Sequence, residues 1–194
     1  MNRNSKTAPS RERTTLEHAI LGLLAQHPQS GYDIKGTFES TALRQFSPSP
    51  GSIYPALKRL ERGGFLSSRM EGGTGDRPRR VYEPTGFGME TLTAWLTGRP
   101  SIDELRVDAR LPILRFSFFG AGDVEASHVE AFLDDLADAI ERYRAELLET
   151  AEVLAELADP FPGAALDHGL RGLDASRQWI DRTRLLLEKG METR

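Results

Sequence analysis

The sequence predicts a mainly α-helical protein with one small β-hairpin. Apolar residues recur at helical spacing through most of the 194 residues. The stretch Phe65–Tyr82 is the exception, because it contains two short strand-like segments, one on each side of a glycine-rich tip. A Gly- and Pro-containing segment, Thr97–Ser101, then separates a basic half of the chain from an acidic half. These observations predict two domains, of which the first carries the hairpin and the second is helical.

The two halves differ in net charge. Residues 1–100 contain 14 Lys and Arg against 9 Asp and Glu, a net charge of +5, and residues 101–194 contain 11 against 20, a net charge of −9. Such a division indicates that one half binds an anion and the other has a different task. We predict a disordered basic arm over residues 1–14, a first domain over 15–97, a linker over 98–102 and a second domain over 103–190.

Composition argues against several classes of protein. Without cysteine there is neither a disulfide framework nor a thiolate metal site. No apolar run approaches membrane-spanning length and no signal-peptide core is present, so we expect a cytoplasmic protein without membrane contact. The four histidines do not have the spacing of metal ligands. The glycines near residue 73 are not followed by the lysine of a phosphate-binding loop, and the sequence suggests no nucleophile–base pair of a catalytic site. We therefore expect no enzyme, no metal and no cofactor.

Three helices joined by short turns are predicted in the basic half. The first covers Thr15–His27 and ends at Pro28, and Gln29–Gly31 forms a tight turn into the second helix, Tyr32–Phe46. Such an arrangement is typical of a helix-turn-helix unit. The residues of the second helix that we expect to be partly buried are Tyr32, Ile34, Phe38, Ala42 and Leu43.

The third helix, predicted over Pro50–Gly63, has one apolar and one basic face. Ile53, Leu57 and Leu60 recur on the first face, whereas the opposite face is small or basic. A helix anchored by one stripe and presenting cations on the other suits insertion into a DNA groove, although a solvated amphipathic helix shows the same pattern. The residues of this helix that we predict to contact DNA are Gly51, Ser52, Tyr54, Pro55, Lys58 and Arg59.

Two residues compete as the N-cap of this helix. If Ser49 is the cap, Pro50 occupies the favoured first position, but Pro55 deprives the Gly51 carbonyl of its helical donor. If Ser52 is the cap, Pro55 lies at the third helical position and costs nothing. We favour Ser49, and the sequence leaves both alternatives open.

The hairpin after these helices corresponds to the wing of a winged helix. Its strands are expected over 65–70 and 77–82, around the glycine-rich tip at 71–76. Arginines beside flexible glycines can adapt to a phosphate backbone or a minor groove, and a solvated basic loop is the alternative. The arginines that we assign to DNA contact are Arg77, Arg79 and Arg80.

The acidic half is expected to be helical. We predict a helix over Asp103–Phe119 that is interrupted near Pro112, a long helix over Val124–Ala158 and a final helix that returns beside it. The long helix carries a heptad seam over four repeats. A lone hairpin has no second layer, so we favour a homodimer over packing of the hairpin only on itself. The predicted dimer residues are Val129, Leu133, Leu136, Ile140, Tyr143, Leu147 and Leu154.

The first domain resembles the PadR family of bacterial transcriptional regulators over about residues 15–96. The most specific match is Tyr54-Pro55, placed between a glycine start and Leu-Lys-Arg-Leu-Glu; Phe65-Leu66 departs conservatively from the family's more usual Leu-Ile. The resemblance implies a winged helix, a homodimer and ligand-modulated repression. The chain length resembles the longer-tailed members with a virulence-activator-type C-terminal domain. Further matching segments are Leu16–Leu24, Ser30–Ile34, Gly51–Gly64, Arg77–Tyr82 and Thr85–Gly88.

The resemblance also implies an effector. In short-tailed relatives a tryptophan at a similar place on the fourth helix lines a pore between subunits and stacks on flat aromatic molecules. Carried over, Trp95 on the predicted helix 85–96 would face a small aromatic effector, with Phe87 and Leu92 as neighbours. Packing of Trp95 in the core is the alternative interpretation.

The sequence thus favours a sequence-specific regulator that binds duplex DNA as a homodimer on an inverted repeat, and represses. Two alternatives remain: a winged-helix adapter that binds proteins without specific DNA binding, and a small-molecule sensor whose DNA contacts are secondary.

Overall fold

The computed structural model describes residues 13–46, 49–72, 78–122, 124–157 and 159–192. The chain divides into two compact units, Met1–Thr93 and Ala94–Arg194. Within the described ranges no helix is long and apolar enough to cross a membrane.

The first unit is a helix-turn-helix followed by a β-hairpin. Its strands form one antiparallel sheet in the order β1-β3-β2, with Leu66 opposite Pro84 and Glu71 opposite Arg79 in the hairpin. The elements are α1 (Thr15–Gln26), β1 (Gln29–Ser30), α2 (Gly31–Ser40), 3₁₀ turns at Ala42–Phe46 and Pro50–Ser52, α3 (Ile53–Arg62), β2 (Leu66–Glu71), β3 (Arg79–Pro84) and α4 (Gly86–Leu96).

Local signals set the start of the first two helices. Thr14 and Glu17 form a capping box at α1, and Ser30 and Asp33 form another at α2. The guanidinium of Arg13 lies 3.7 Å from the centroid of the Phe65 ring. Of the predicted disordered arm over residues 1–14, only Arg13 and Thr14 belong to the described residues, and both make these contacts. Residues 1–12 lie outside the described residues, and the disorder of the arm stays a prediction.

The turn between α1 and α2 differs from the prediction. Gln29 and Ser30 do not form only a tight turn, because they pair with Tyr82 and Val81 as a third strand. Tyr32 is 77% exposed rather than partly buried, because the core face of α2 is formed by Ile34 and Phe38.

The predicted second helix is also too long. It stops at Ser40, and a 3₁₀ turn follows over Ala42–Phe46, in which Ala42 is exposed. At this break the hydroxyl of Thr41 donates to the carbonyl of Thr37, and it also accepts from the backbone N–H of Leu43. Hydrogen bonds from a threonine hydroxyl to nearby backbone groups compete with helix continuation.

The α-helical part of the third helix begins later than expected. Pro50–Ser52 is a 3₁₀ turn, Ser52 is the N-cap of α3, and Pro55 therefore lies at the third helical position, where its missing N–H costs nothing. Our preference for Ser49 as the cap of the α-helix was wrong. The helix ends as predicted at Gly63 and Gly64, and Gly64 adopts the left-handed conformation (φ 77°) that a glycine tolerates best.

In its described residues, the second unit contains the last turn of α4 and four further helices. A methyl group at Gly122 would clash with the Leu96 side chain, so the end of α4 packs closely against this glycine. The linker at 98–102 and the domain bounds on either side of it stay a prediction. The expected helix over 103–119 is two helices, because Pro112 lies in the first turn of the second one. They are α5 (Ile102–Asp108), α6 (Leu111–Phe116), α7 (Ala126–Ala155) and α8 (Phe161–Glu192).

Part of the heptad seam lies inside this unit. Leu133, Leu136 and Ile140 are at most 1% exposed in the single chain, in which α7 packs along α8. These three members of the predicted dimer set are therefore already covered within the single chain, where α7 packs against both α8 and α5. Other members of the predicted dimer set keep partial exposure: Val129, Tyr143, Leu147 and Leu154.

Candidate nucleic-acid interface

Helix α3 has one completely buried stripe and one solvated face. The buried stripe consists of residues that are at most 1% exposed, and it holds the helix in the core of the first unit. The solvated face includes Pro55, Lys58, Arg59 and Arg62, all exposed, and Gly51 in the preceding 3₁₀ turn is exposed as well. The buried residues are Ile53, Ala56, Leu57 and Leu60.

Two polar residues near the start of α3 are held by local contacts. The hydroxyl of Ser52 donates to the carbonyl of Ser49 at 2.6 Å, and its backbone N–H donates to the same oxygen at 3.0 Å. The Tyr54 ring lies so close to Gly31 that a methyl group there would come within 2.8 Å of a ring carbon. Tyr54 remains 46% exposed, so it combines a packing role with an accessible edge.

Arg59 is tied to the first helix. Its Nε donates to Oε1 of Glu17 at 2.7 Å, and the Glu17 side chain is only 10% exposed. The carboxylate of Glu17 also accepts from the backbone N–H of Thr14 in the capping box. Part of the Arg59 charge is therefore compensated within the protein, which the sequence analysis missed.

Lys58 and Arg62 provide the less compensated charge of this face. Among the residues that the structure describes, neither forms an ion pair within 4.0 Å; the Arg62 guanidinium donates to the Lys58 carbonyl. Arg62 is not among the residues of this helix that the sequence analysis predicts to contact DNA. Its exposure beside Lys58 makes it as suitable for contact with an anion as Lys58 itself.

The described wing arginines also have acidic partners. Nη1 of Arg79 lies 3.8 Å from Oδ2 of Asp33. Nη2 of Arg80 donates a hydrogen bond to Oε1 of Glu61 at 2.7 Å. Both arginine side chains remain more than half exposed. The third predicted wing arginine, Arg77, lies outside the described residues.

The cap of α2 provides the anion next to Arg79. Hydrogen bonds from Ser30 hold the pKa of Asp33 below its ordinary value, and the charge of Arg79 acts in the same direction. Asp33 therefore stays ionised at neutral pH, and it joins the start of α2 to the wing. Ser30-x-x-Asp33 is recognisable in sequence as a helix cap, but its closeness to Arg79 depends on the pairing of β1 with β3.

The second unit contains an apolar groove of about 650 Å³ formed by the ends of α6, α7 and α8. The described residues that line it do not include Trp95, which is half-buried. Within the described part of the chain, no group of three or more His, Cys, Asp or Glu residues could hold a metal ion. The apolar residues in the lining are Phe116, Phe119, Val124, Ala126, Val129, Leu133 and Leu187.

The first unit thus has the parts of a winged helix-turn-helix, with a helix pair, an amphipathic third helix and a basic two-stranded wing. This class of fold places its third helix or its wing against nucleic acid in many DNA-binding proteins. The model of the Transcriptional regulator PadR-like family matches residues 20–94. The chain belongs to this family, whose members are DNA-binding transcription regulators and not enzymes.

Two of the curated relatives are each matched over about half of this chain. Negative transcriptional regulator PadR of Bacillus subtilis is 35% identical over 89 residues, which cover 46% of this chain and 49% of the relative. Transcriptional regulator Rv3488 of Mycobacterium tuberculosis is 33% identical over 91 residues, which cover 46% of this chain and 81% of the relative. The match thus spans about half the length of the Bacillus subtilis relative.

The chain is also similar to solved structures of Bacillus subtilis PadR, each at 24% identity. The complex with operator DNA has a TM-score of 0.44, and the match covers 92% of this chain and 99% of that one. The complex with p-coumaric acid has a TM-score of 0.41, and the match covers 90% and 96%.

Proposed function

We propose that this PadR-family regulator represses transcription by binding as a homodimer to an inverted repeat in duplex DNA. The observation that carries the proposal is the solvated face of α3, where Lys58, Arg59 and Arg62 are exposed while the opposite stripe is buried. Cations fixed on one face of a rigid helix can neutralise phosphates along a groove. The matched Bacillus subtilis relative, a negative regulator by name, supports repression.

The two parts of the interface have different proposed roles. Ser52 and Tyr54, near the start of α3, would contact base edges or phosphate in the major groove, because the first residues of a recognition helix lie nearest the bases. Lys58, Arg59 and Arg62 would contact mainly phosphate. Arg77, Arg79 and Arg80 would reach the flanking backbone or the minor groove.

The direct experiment is selection of bound fragments from a genomic DNA pool, followed by sequencing. We expect enrichment of an inverted repeat whose half-sites are centred about one helical turn apart, as two-fold symmetry requires. A pool with no enriched fragment would refute the proposal and favour the protein-binding adapter.

The division of roles predicts different mutant phenotypes. Arg80→Ala should weaken binding to selected and random duplexes alike and lower the salt slope by about one per lost phosphate contact. Ser52→Ala should act more on the selected site, because a base contact carries sequence information and a phosphate contact does not. Fluorescence anisotropy with both duplexes measures the two effects. Loss of only selected-site binding by Arg80→Ala would reverse the assigned roles.

Homodimer formation is proposed through the second unit. Apolar side chains remain exposed on its two long helices, and a partner subunit would cover them. Val129, Tyr143, Leu147 and Leu154 are half-buried and could join this interface. The large exposed apolar residues of these helices are Leu148, Val153, Phe161, Leu185, Leu186 and Leu187, and Leu157, which follows α7, is exposed as well.

We therefore expect Leu186→Glu to weaken the dimer, because Leu186 is 69% exposed in the single chain and a buried charge at an interface is costly. Gln178→Glu, an exposed polar position of the same helix, is the matched control and should leave the dimer unchanged. Sedimentation velocity at micromolar concentration measures both. A monomeric unsubstituted chain would contradict the proposal of a dimer.

A small aromatic effector at Trp95 remains part of the proposed function. Trp95 is half-buried, and the large face of an indole suits a planar ligand. Trp179→Phe makes Trp95 the sole tryptophan of the chain. Titration of this variant with planar aromatics and phenolic acids should quench its emission to saturation and release DNA. Unchanged emission and DNA affinity across the panel would leave Trp95 as a packing residue.

A further inference from the structure

The DNA-facing surface of the first unit carries an acidic residue between its cations. Glu61 lies in the last turn of α3, and its side chain is 25% exposed. Its Oε1 accepts hydrogen bonds from Nη2 of Arg80 at 2.7 Å and from Oγ of Ser68 at 2.6 Å. Nε of Arg80 also donates to Oγ of Ser68, at 2.8 Å. The three side chains close a triangle that joins α3, β2 and β3.

A carboxylate at this place opposes DNA binding by charge alone, since it repels phosphate. We propose that Glu61 is a positioning residue of the interface, which fixes Arg80, and with it the wing, relative to α3. This proposal rests on the proposed DNA binding and concerns how Arg80 is held within the same interface.

The geometry supports a positioning role because the Arg80 guanidinium is held at two nitrogens, Nε and Nη2, by partners from two different elements. A free arginine side chain loses rotamer entropy when it is immobilised. A side chain that is already oriented loses less on binding, which raises affinity. The guanidinium carbon also lies 5.6 Å from the centroid of the Tyr82 ring, which limits its movement further.

A neighbouring network provides the contrast. Arg69 donates to Glu71 and to Glu83 at 2.7 Å each, but all three residues belong to the hairpin. This network stabilises the wing internally and does not connect it to α3. Glu83 is thus a matched control, an exposed carboxylate that pairs with an arginine on the same wing without joining the two parts of the interface.

The test compares Glu61→Gln with Glu83→Gln. Glutamine keeps the shape and an acceptor oxygen but removes the charge. The probe is a fluorescent duplex of arbitrary sequence and about 30 base pairs in about 50 mM salt, since phosphate contacts do not depend on sequence. We expect Glu61→Gln to bind roughly three- to tenfold more weakly, which is within the usual range for coupled side chains. Glu83→Gln should bind equally or more tightly. Equal or tighter binding by Glu61→Gln would overturn the proposal.

A double-mutant cycle separates positioning from a general effect on the fold. In the Arg80→Ala background, Glu61→Gln should cause no further loss of affinity, because the side chain that it positions is gone. A loss of the same size in that background would show that Glu61 acts through overall stability, which would overturn the proposal. If the unsubstituted chain binds no duplex, the proposed function fails as well; if it binds and Glu61→Gln is neutral, only this inference fails.

Discussion

Duplex binding by the homodimer is expected to weaken by roughly 10³- to 10⁵-fold between about 50 and 200 mM salt. This range corresponds to about six to ten neutralised phosphates, or three to five per subunit. Each subunit offers five described cations for these contacts: Lys58, Arg59, Arg62, Arg79 and Arg80.

We expect the loss of affinity to lie near the lower end of this range, at about 10³-fold. Three of the five cations already have carboxylate partners, since Arg59 pairs with Glu17, Arg79 lies near Asp33, and Arg80 pairs with Glu61. Lys58 and Arg62 then contribute most to the slope. The double substitution Lys58→Ala, Arg62→Ala should lower the slope by about four in a homodimer, about one for each lost contact.

The control for this experiment lies in the second unit. Arg171 is an exposed arginine of α8, paired with Asp167 one helical turn away, and Arg171→Ala should leave the slope unchanged. Anisotropy titrations across a salt series measure all three proteins. A slope near zero, or a slope that the double substitution does not change, would contradict the assignment of α3 to phosphate contact.

Local signals made most of the first unit predictable. The period of Ile53, Leu57 and Leu60 placed the buried face of α3 correctly, because a helix anchored on a core repeats its apolar residues at helical spacing. The start of the first helix and the glycine end of the third were also predicted correctly, since caps and glycines act within a few residues.

Features that depend on distant partners were not predictable. Strand β1 has only two residues, too few for an alternating pattern, and it exists because β3 pairs with it. Arg59 and Glu17 are 42 residues apart and Arg80 and Glu61 are 19 apart, so only the folded chain brings each pair together. The candidate cations were therefore visible in sequence, whereas the acids that orient them were not.

The heptad seam shows a different limit. Periodicity indicates that one face of a helix is buried, but it does not indicate which helix covers that face. Leu133, Leu136 and Ile140 are covered within the chain, whereas apolar residues outside the seam, such as Leu148 and Leu186, remain exposed. The choice of covering helix follows from the close pairing of α7 with α8, which the seam alone could not reveal.

A buried arginine in the second unit is the other residue with a large expected effect. Arg115 is only 4% exposed and its guanidinium donates from Nη1 to Glu104 at 2.9 Å. It also donates from Nη2 to the carbonyl of Gly98, just beyond the end of α4, and lies 5.0 Å from the centroid of the Phe132 ring. One side chain thus links α4, α5 and α7.

Arg115→Met should destabilise the protein by about 3 kcal/mol, because it leaves the Glu104 carboxylate and a backbone carbonyl without their donor. The estimate is at the low end for a broken buried pair, since the Glu104 side chain keeps 18% exposure to water. The matched control is Arg106→Met, the same substitution at a half-exposed arginine that pairs with Asp103 and Glu146, and it should destabilise the protein far less, because water screens these exposed ion pairs. Thermal and urea unfolding measure the stability of both variants.

Adding Glu104→Leu to Arg115→Met should recover part of the lost stability, because the unpaired charge is then gone. Equal stability of the two single variants would show that water replaces the Arg115 contacts at no cost, and would contradict this role.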